Sequence, residues 1–475
     1  MLFNSLDFAI FLPIVFVIYW FVFKSHLKLQ NLFIVCASYL FYAWWDYRFL
    51  ALIALSTLVD FIVAKQLKKQ KDQKQRKGLL MLSLVFNLGI LAFFKYFNFF
   101  IESWVDAWQF LGINMQTSTL NIILPVGISF YTFQTLSYTI DIYRNKIEPT
   151  DSLIQFAAFV SFFPQLVAGP IERASHLLPQ FNKKRVFNSE FAISGFYLII
   201  WGLFKKVVVA DNCAFFVNQI FNGTSGHSSM ELFLGAVLFA FQIYGDFSGY
   251  SDIAIGIARL FGFSLMTNFS FPYFSRDIAE FWRRWHISLS TWFRDYLYIP
   301  LGGSKGTKVQ SLRNVLIVFL VSGFWHGANW TFIIWGALHA VLFLPLLLAQ
   351  KNRTYVNSTR ISIQQFPKLL ITFVLVTFAW IFFRADSVTI AYEFIVEIFS
   401  FNGNSLNVFF KSSKTLLFSA IIVFSILILL LFEFLAVQKN KKEVVLSKYT
   451  AVIIAIIICL MGVFKNPSEF IYFQF

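Results

Sequence analysis

Charge and cysteine are both scarce in this chain of 475 residues. Asp, Glu, Lys and Arg make up 13% of the residues and hydrophobic residues 58%, whereas a soluble domain has about 25% and 45 to 50%. This composition excludes an ordinary soluble protein and indicates a membrane protein with many apolar segments. The three cysteines, Cys36, Cys213 and Cys459, are far apart, so neither a disulfide framework nor a CxxC metal site is expected.

The formal net charge of +15 comes from basic residues that cluster between the apolar runs. The largest cluster lies between residues 65 and 77. Because basic loops of membrane proteins face the cytoplasm, this link is predicted to be cytoplasmic, which places the amino terminus outside. Cytoplasmic loops and anionic lipid therefore explain the charge better than nucleic acid does.

The apolar runs predict an all-α fold in a single domain, residues 1–475, with roughly ten to twelve membrane segments including re-entrant helices. The first run, 8–23, lacks the basic start of a cleavable leader and is expected to remain as a membrane segment. The stretch 95–110 is expected at the outer interface, and 124–143 is expected to pack against other helices. The stretch 157–173 carries two prolines and has basic residues on both sides, so we predict a re-entrant segment.

The longest charge-free run, 314–350, contains the motif SGFWHGANW at Ser322–Trp330. As one helix its 37 residues would reach about 55 Å, against about 30 Å of hydrocarbon, so the run must break. We predict the break at the motif, where Gly323 and Gly327 bracket His326 and relax the backbone. An ionisable side chain at membrane depth is expected to line a cavity rather than face lipid.

The neighbours of His326 favour a functional role. A lone membrane His can equally well do no more than hydrogen-bond a neighbouring helix. Here Phe324, Trp325 and Trp330 flank it in the sequence and are expected to form an aromatic wall around it. On a helical continuation Asn329 would share its face, where it could orient the imidazole or hold an acyl carbonyl.

The stretch 275–303 is the second informative region. Its arginines place it on the cytoplasmic side, while its tryptophans make it too apolar for a free loop. As a continuous helix it would bury Trp285 and turn Arg283 and His286 together toward a polar cavity. Arg283 and Arg284 could bind the phosphates of a cytosolic donor. On the residues alone, simple anchoring to anionic headgroups ranks first.

The stretch GDFSGYSD at 245–252 places two carboxylates, Asp246 and Asp252, at the end of an apolar run. They are candidates for a proton path or a polar lining. Equally, they could cap and terminate a helix at the interface. Gly245 and Gly249 slightly favour this second interpretation because they indicate a turn.

Six sequence blocks occur in a characteristic order. The two that contain a histidine are FWRRWHISLSTWFRDYLYIPLGGS at 281–304 and SGFWHGANWTFIIWGALHA at 322–340. The others are LPVGISFYTFQTLSYTIDIYR at 124–144, FFPQLVAGPIER at 162–173, YGDFSGYSDIAIG at 244–256 and FIYFQF at 470–475. Together they resemble the signature motifs of the membrane-bound O-acyltransferase family, in its bacterial alginate O-acetyltransferase branch, over most of the chain.

The resemblance implies a bundle of helices around a central funnel, in a multi-pass protein of the bacterial cytoplasmic membrane. The family's catalytic His falls on His326 and its second signature His on His286. It implies an acyl group taken from a cytosolic donor, acetyl-CoA in the usual case, with no bound cofactor. It further implies passage of the acyl group across the bilayer for O-acetylation of an exported or cell-wall polysaccharide, completed by a separate extracytoplasmic protein.

A related activity remains as the alternative. The relative that transfers D-alanine to teichoic acid is similar in its RWH and WHG cores. It lacks the IPLGG continuation present here at Ile299–Gly303, so the resemblance favours acetyl transfer.

The resemblance predicts His326 as a general base, because a side chain with a pKa of about 6.5 suits proton removal at neutral pH. His286 and Asn329 are expected to position the carbonyl or the acceptor, and the two arginines to hold the anionic part of the donor. Direct attack by His326, which would form an acyl-imidazole, remains open. The expected substrate- and donor-binding residues are Asn329, Arg283, Arg284, Trp285 and Trp325.

Two competing interpretations remain. A transporter or flippase with His326 as a proton relay predicts chains of intramembrane carboxylates and paired halves, and the sequence shows no internal duplication. A metal site using His286 and His326 lacks a local pair with ligand spacing, so no metal is expected. His339, in the second half of the charge-free run, is assigned to packing.

Overall fold

A computed structural model describes residues 1–115, 117, 119–167, 169–223, 226–356, 360–403, 405–465 and 470–471. Every regular element among these residues is helical, so the predicted all-α fold is confirmed. Packing divides the chain into two compact units. The N-terminal unit comprises Met1–Ile193 and Ile257–Leu265, and the C-terminal unit comprises Ser194–Gly256 and Met266–Phe475.

The N-terminal unit is organised around one buried helix, α6. The helices are α1 Leu6–Val17, α2 Leu27–Asp46, α3 Leu50–Lys69, α4 Gln73–Leu91, α5 Phe97–Phe110, α6 Ile128–Tyr143, α7 Leu153–Ser161, α8 Phe163–Leu166 and α9 Ala174–Phe181. Nearly every side chain of α6 is buried, and α3 and α4 pack against it. The prediction that 124–143 packs against helices rather than lipid is therefore confirmed.

The predicted re-entrant stretch 157–173 is irregular and enclosed by protein. It contains the end of α7, the single turn of α8 and an extended tail, and its described residues are almost all buried. Ala168 lies outside the described residues. Enclosure is what irregular backbone requires where water is absent, and its depth in the bilayer stays a prediction.

The C-terminal unit holds most of α10 and α12 and all of the later helices. The bounds are α10 Ser189–Leu203, α11 Asp211–Phe221, α12 Ser229–Leu260, α13 Ile278–Arg284, α14 Ile287–Phe293, α15 Lys308–His326, α16 Trp330–Leu348, α17 Phe366–Arg384, α18 Val388–Phe399, α19 Asn407–Phe410, α20 Ser413–Gln438 and α21 Lys448–Met461. A π-helical segment, Phe204–Ala210, joins α10 to α11.

Seven helical stretches in the described part of the chain are long and apolar enough to cross a membrane. They are Leu27–Lys69, Gln73–Phe110, Ser189–Phe221, Ser229–Leu260, Trp330–Leu348, Ile363–Arg384 and Ser413–Gln438, with shorter apolar helices at Leu6–Val22 and Lys448–Met461. The protein is therefore a multi-pass membrane protein. The predicted ten to twelve segments also counted short and re-entrant helices.

The favoured interpretation of the stretch 245–252 was wrong. Helix α12 runs without interruption through it, so its carboxylates do not terminate a helix. Its glycines permit close helix packing instead of a turn. A Cβ at Gly249 would lie 2.8 Å from the carbonyl oxygen of Gly202, and one at Gly202 would lie 2.6 Å from that of Gly249. Small residues that let backbones approach are typical of membrane helix pairs.

The carboxylates of α12 pair with two lysines that fit a membrane span poorly on sequence grounds. Lys206 Nζ lies 2.8 Å from a carboxylate oxygen of Asp211 and 2.8 Å from one of Asp246. Lys205 Nζ lies 2.6 Å from Asp252 Oδ2. Because all of these side chains are largely buried, the charges are tolerable only as pairs.

Replacing Lys206 by Met should destabilise the protein by about 3 to 5 kcal/mol, because it leaves Asp211 and Asp246 buried without their cation. Thermal unfolding in detergent, followed by intrinsic fluorescence, measures the loss. The matched control is Lys305→Met, which removes an exposed lysine and should leave the midpoint unchanged. Adding Asp211→Asn and Asp246→Asn to Lys206→Met should restore much of the stability. Equal midpoints for the two Met variants would contradict the pairing.

Candidate active site

The charge-free run breaks at the motif, as predicted. Helix α15 ends at His326, Gly327 is extended with φ −159° and ψ 152°, and α16 begins at Trp330. A Cβ at Gly327 would overlap the ring of Phe332. The break therefore depends on a residue without a side chain, and it leaves His326 at the last position of its helix.

Gly323 has a different role from the one expected. It lies within α15 and has helical conformation, so it does not relax the backbone. A Cβ at Gly323 would overlap the carbonyl oxygen of Phe332, and one at Gly336 would overlap that of Phe319. These two glycines bring α15 and α16 into backbone contact, which fixes His326 relative to α16.

The prediction that Asn329 shares a helical face with His326 was wrong, because α15 ends at His326 and α16 begins at Trp330. Asn329 is the N-cap of α16, and its Oδ1 accepts a hydrogen bond from the backbone N–H of Thr331 at 3.0 Å. Its Nδ2 donates to the carbonyl oxygen of Asp386 at 2.9 Å. The amide thus serves helix capping and does not orient the imidazole.

His326 and His286 lie close together in a buried aromatic cluster. Their ring centroids are 6.3 Å apart, and the exposed fractions are 2% for His326 and 0% for His286. The ring of Trp325 lies 5.0 Å from that of His326 and 6.0 Å from that of His286. Trp335 and Phe383 enclose His326 at 5.0 and 5.4 Å. The structure thus brings together the two predicted histidines and one of the two predicted tryptophans.

The stretch 275–303 is not a continuous helix, which corrects the predicted grouping of Arg283 with His286. Helix α13 ends at Arg284, and α14 begins at Ile287. Between them His286 adopts φ 42° and ψ 55°, a left-handed conformation that is uncommon outside glycine and concentrates at functional sites. The kink places His286 beside His326.

Asn268 holds His286 in place, and sequence reasoning missed it. Its Nδ2 donates to Ser251 Oγ at 3.0 Å, and its Oδ1 accepts from Ser288 Oγ at 2.8 Å. The backbone N–H of Ser288, which can only donate, lies 3.4 Å from the same Oδ1. This contact assigns the oxygen of Asn268 to the side of His286, whose Nδ1 lies 3.1 Å away. Nδ1 therefore carries the proton, and Nε2 carries the lone pair. A lone amide in an apolar stretch was the only signal in the sequence.

His286 is uncharged at physiological pH. Burial lowers its pKa from 6.5 to about 3, because desolvation disfavours the imidazolium. His286 is therefore a neutral hydrogen-bond acceptor through Nε2 over the whole range from pH 5 to 8.

The two neighbouring arginines have separate roles. Arg284 Nη2 lies 2.7 Å from Glu280 Oε1, and Arg276 Nη2 lies 2.8 Å from the same oxygen. Burial would raise the pKa of Glu280, but hydrogen bonds from Arg276 and the charge of Arg284 offset this effect and hold the pKa below its usual value. Arg283 instead donates one hydrogen bond, from Nη1 to the carbonyl oxygen of Asn352 at 2.8 Å.

Arg283 borders two cavities of the C-terminal unit. The arginine cavity, about 390 Å³, is also lined by Arg294, Arg353 and, on α15, Val315, Val318, Phe319 and Ser322. The lysine cavity, about 610 Å³, is also lined by Arg284, Lys441 and Lys442. Trp285 lines neither cavity, and its ring packs on those of Phe281 and Trp380. The structure therefore places Arg283 and Arg284 at a basic, concave surface and Trp285 in the packed interior.

Among the described residues no group of three or more His, Cys, Asp or Glu side chains is placed to hold a metal ion.

Residues 146–385 match the membrane-bound O-acyltransferase family. The chain belongs to this family. The matched range includes both histidines and both arginines, and the alginate O-acetyltransferase-like branch is supported by the relatives.

Three curated relatives represent the enzymes to which this chain is similar. A probable alginate O-acetylase of Pseudomonas aeruginosa is 40% identical over 437 residues, which cover 91% of this chain and 81% of the relative. A peptidoglycan O-acetyltransferase of Helicobacter pylori is 37% identical over 439 residues, covering 86% and 81%. A teichoic acid D-alanyltransferase of Bacillus subtilis is 29% identical over 251 residues, covering 50% and 62%.

Family membership decides the class of the protein. Members of the membrane-bound O-acyltransferase family transfer acyl groups, so this chain is an acyltransferase. The transporter or flippase interpretation is not retained.

The terminal block FIYFQF lies outside the described residues except for Phe470 and Ile471. The ring centroids of Phe470 and Tyr250 are 4.4 Å apart.

Asn268→Asp should raise the pKa of His286 by roughly one to three pH units, because a carboxylate beside Nδ1 favours the imidazolium. In the unmodified protein His286 should not titrate between pH 5 and 8. Nitrogen-15 NMR of histidine-labelled protein follows both titrations, with His286→Gln for assignment. His176 is the internal comparison, since its hydrogen bond to Glu172 raises its pKa above 6.5. A His286 signal that titrates near pH 6.5 in the unmodified protein would contradict its burial.

Proposed function

We propose that this chain takes an acetyl group from a cytosolic thioester donor and passes it across the bacterial cytoplasmic membrane for O-acetylation of an exported or cell-wall polysaccharide. The relatives support acetyl over D-alanyl transfer. The alginate and peptidoglycan acetyltransferases match most of the chain at 40 and 37% identity, respectively, whereas the D-alanyltransferase matches half of it at 29%. Acetyl-CoA is the proposed donor, and a separate extracytoplasmic protein is the proposed partner that completes the transfer.

One observation carries the proposal: the arginine cavity comes within one helical turn of His326 along α15. His326 itself is buried and is not among the residues that line this cavity, contrary to the expectation from the sequence. The cavity is lined by this helix as far as Ser322, and His326 is the residue four positions later, one helical turn or about 6 Å away. A donor held by its anionic end among Arg283, Arg294 and Arg353 would extend its acyl end along apolar side chains toward the imidazole.

Arg283 is the proposed contact for the anionic part of the donor. Its Nη2 is buried and has no hydrogen-bonding partner among the described residues, although guanidinium N–H groups normally find acceptors. Arg284 lines the lysine cavity but is bound to Glu280. We therefore assign donor binding to Arg283 and a structural role to Arg284.

His326 is the proposed general base. It takes the proton from the acceptor hydroxyl as the hydroxyl oxygen bonds to the acetyl carbonyl carbon, and the carbon–sulfur bond then breaks. The imidazolium returns the proton to the departing thiolate. His286 would accept a hydrogen bond from the acceptor hydroxyl through Nε2 and so orient it. Attack by His326 itself, with an acyl-imidazole intermediate, is the alternative route.

His326→Ala should lower acetyl transfer by about 10²- to 10⁴-fold, the usual effect of removing a general base. Transfer of radiolabelled acetyl from acetyl-CoA to polysaccharide in membrane vesicles measures it. The protein should still insert and unfold at a similar temperature. His26→Ala, which removes an exposed histidine, is the matched control and should transfer normally. Normal transfer by the His326 variant would reject the proposed site.

Arg283→Ala should raise the KM for acetyl-CoA by roughly 10- to 100-fold, because a hydrogen bond to a charged group contributes about 1.5 to 3 kcal/mol. The unfolding temperature should change little. Arg284→Ala should do the reverse, lowering the unfolding temperature while affecting KM less, since it leaves Glu280 with one cation fewer. If Arg283→Ala keeps the KM of the unmodified enzyme, the donor binds elsewhere.

A further inference from the structure

Three polar side chains, Thr331, Trp335 and His339, recur at every fourth position of α16. Residues four apart lie on the same face of a helix, and this set spans about 12 Å of the helix axis. Each side chain is at most 1% exposed. We call this set the α16 row, a buried polar stripe on an otherwise apolar membrane helix.

Each member of the α16 row has a polar atom without a hydrogen-bonding partner among the described residues. These atoms are Thr331 Oγ1, Trp335 Nε1 and His339 Nε2. About 90% or more of buried polar groups are paired in folded proteins, and an unpaired one costs about 1 to 3 kcal/mol. Three such atoms in consecutive turns on one face indicate a bound group that completes their hydrogen bonds.

The chemistry of that group follows from the protonation of His339. Trp282 Nε1 lies 3.3 Å from His339 Nδ1. An indole nitrogen can only donate, so Nδ1 carries the lone pair and the neutral ring carries its proton on Nε2. The α16 row therefore presents two N–H donors, from Trp335 and His339, and one hydroxyl. Its ligand must bring hydrogen-bond acceptors.

The α16 row connects the two parts of the proposed site. Trp282, the partner of His339, lines the arginine cavity. The ring of Trp335 lies 4.9 Å from that of His339 and 5.0 Å from that of His326. One end of the α16 row thus adjoins the wall of the arginine cavity, and the middle of the row contacts His326.

We propose that the α16 row binds a line of hydrogen-bond acceptors between the arginine cavity and His326, and that His339 is a positioning residue for the acyl transfer. This proposal rests on the proposed function. Internal water molecules and the amide-bearing arm of the donor share the required chemistry, and they differ in the kinetic constant that they affect. Water that orients the reacting groups acts on kcat, whereas the arm acts on the KM for the donor.

The kinetic test uses variants that remove the hydrogen-bonding groups of the α16 row and leave an apolar side chain in their place. His339→Phe, Trp335→Phe and Thr331→Val should each impair acetyl transfer, by roughly tenfold for the two ring variants. His339→Gln, which offers an N–H near the position of Nε2, should recover part of the loss. The matched control is Thr372→Val, whose hydroxyl bonds within its own helix to the carbonyl oxygen of Lys368. A fall in kcat supports water, and a rise in KM supports the donor arm.

A second measurement reports on the α16 row without using activity. X-ray radiolysis labels side chains beside bound water, so Trp335 should be labelled despite its burial. The comparison is Trp20, also buried, whose Nε1 already donates to the carbonyl oxygen of Leu260. Acetyl-CoA should suppress the labelling if the donor arm occupies the row and leave it unchanged if water does.

The two measurements separate failure of this proposal from failure of the proposed function. If the unmodified protein shows no acetyl transfer but Trp335 is labelled, acetyl transfer from acetyl-CoA is rejected, whereas the proposal that the α16 row binds water is retained. If His339→Phe and Trp335→Phe leave kcat and KM unchanged and Trp335 is not labelled, the proposal that the α16 row binds hydrogen-bond acceptors is wrong. His339 would then have only a packing role.

Discussion

The backbone contact between α15 and α16 is the constraint on which the site depends. Gly323 and Gly336 have no side chains, so each lies where a Cβ would overlap a carbonyl oxygen of the facing helix. Helices that approach this closely cannot slide or rotate without steric overlap, since packed interiors respond poorly to small shifts. The contact therefore sets the position of His326, at the end of α15, against the rings of α16.

Burial then divides the polar side chains of the C-terminal unit into two groups. Groups that remain charged are paired directly: Lys206 bridges two carboxylates, and Glu280 is held between two guanidiniums. His286 is instead hydrogen-bonded to the amide of Asn268, and burial keeps it neutral. The same low dielectric thus stabilises a rigid framework of ion pairs and supplies an uncharged imidazole beside His326.

The helical fold, the break at the motif and the family of the chain could be predicted from the sequence, because each depends on local composition or on whole motifs. It did not predict features that depend on a facing helix. Whether Gly249 marks a turn or a packing contact is decided by Gly202, 47 positions away in the chain. Likewise the periodicity of 275–303 could not reveal the kink at His286, which Asn268 stabilises from a separate segment.

The tautomer of His286 limits what the residue can do in the proposed chemistry. Its one N–H is directed at Asn268, so a neutral His286 has no second proton to donate to a thioester carbonyl. Stabilising negative charge on that oxygen therefore needs other donors, and the N–H groups of Trp335 and His339 are the nearest buried candidates on α16. A lone pair on His286 instead suits an acceptor hydroxyl, which must be oriented before it loses its proton. In the proposed mechanism the neutral His286 orients the acceptor hydroxyl, and His326 removes its proton.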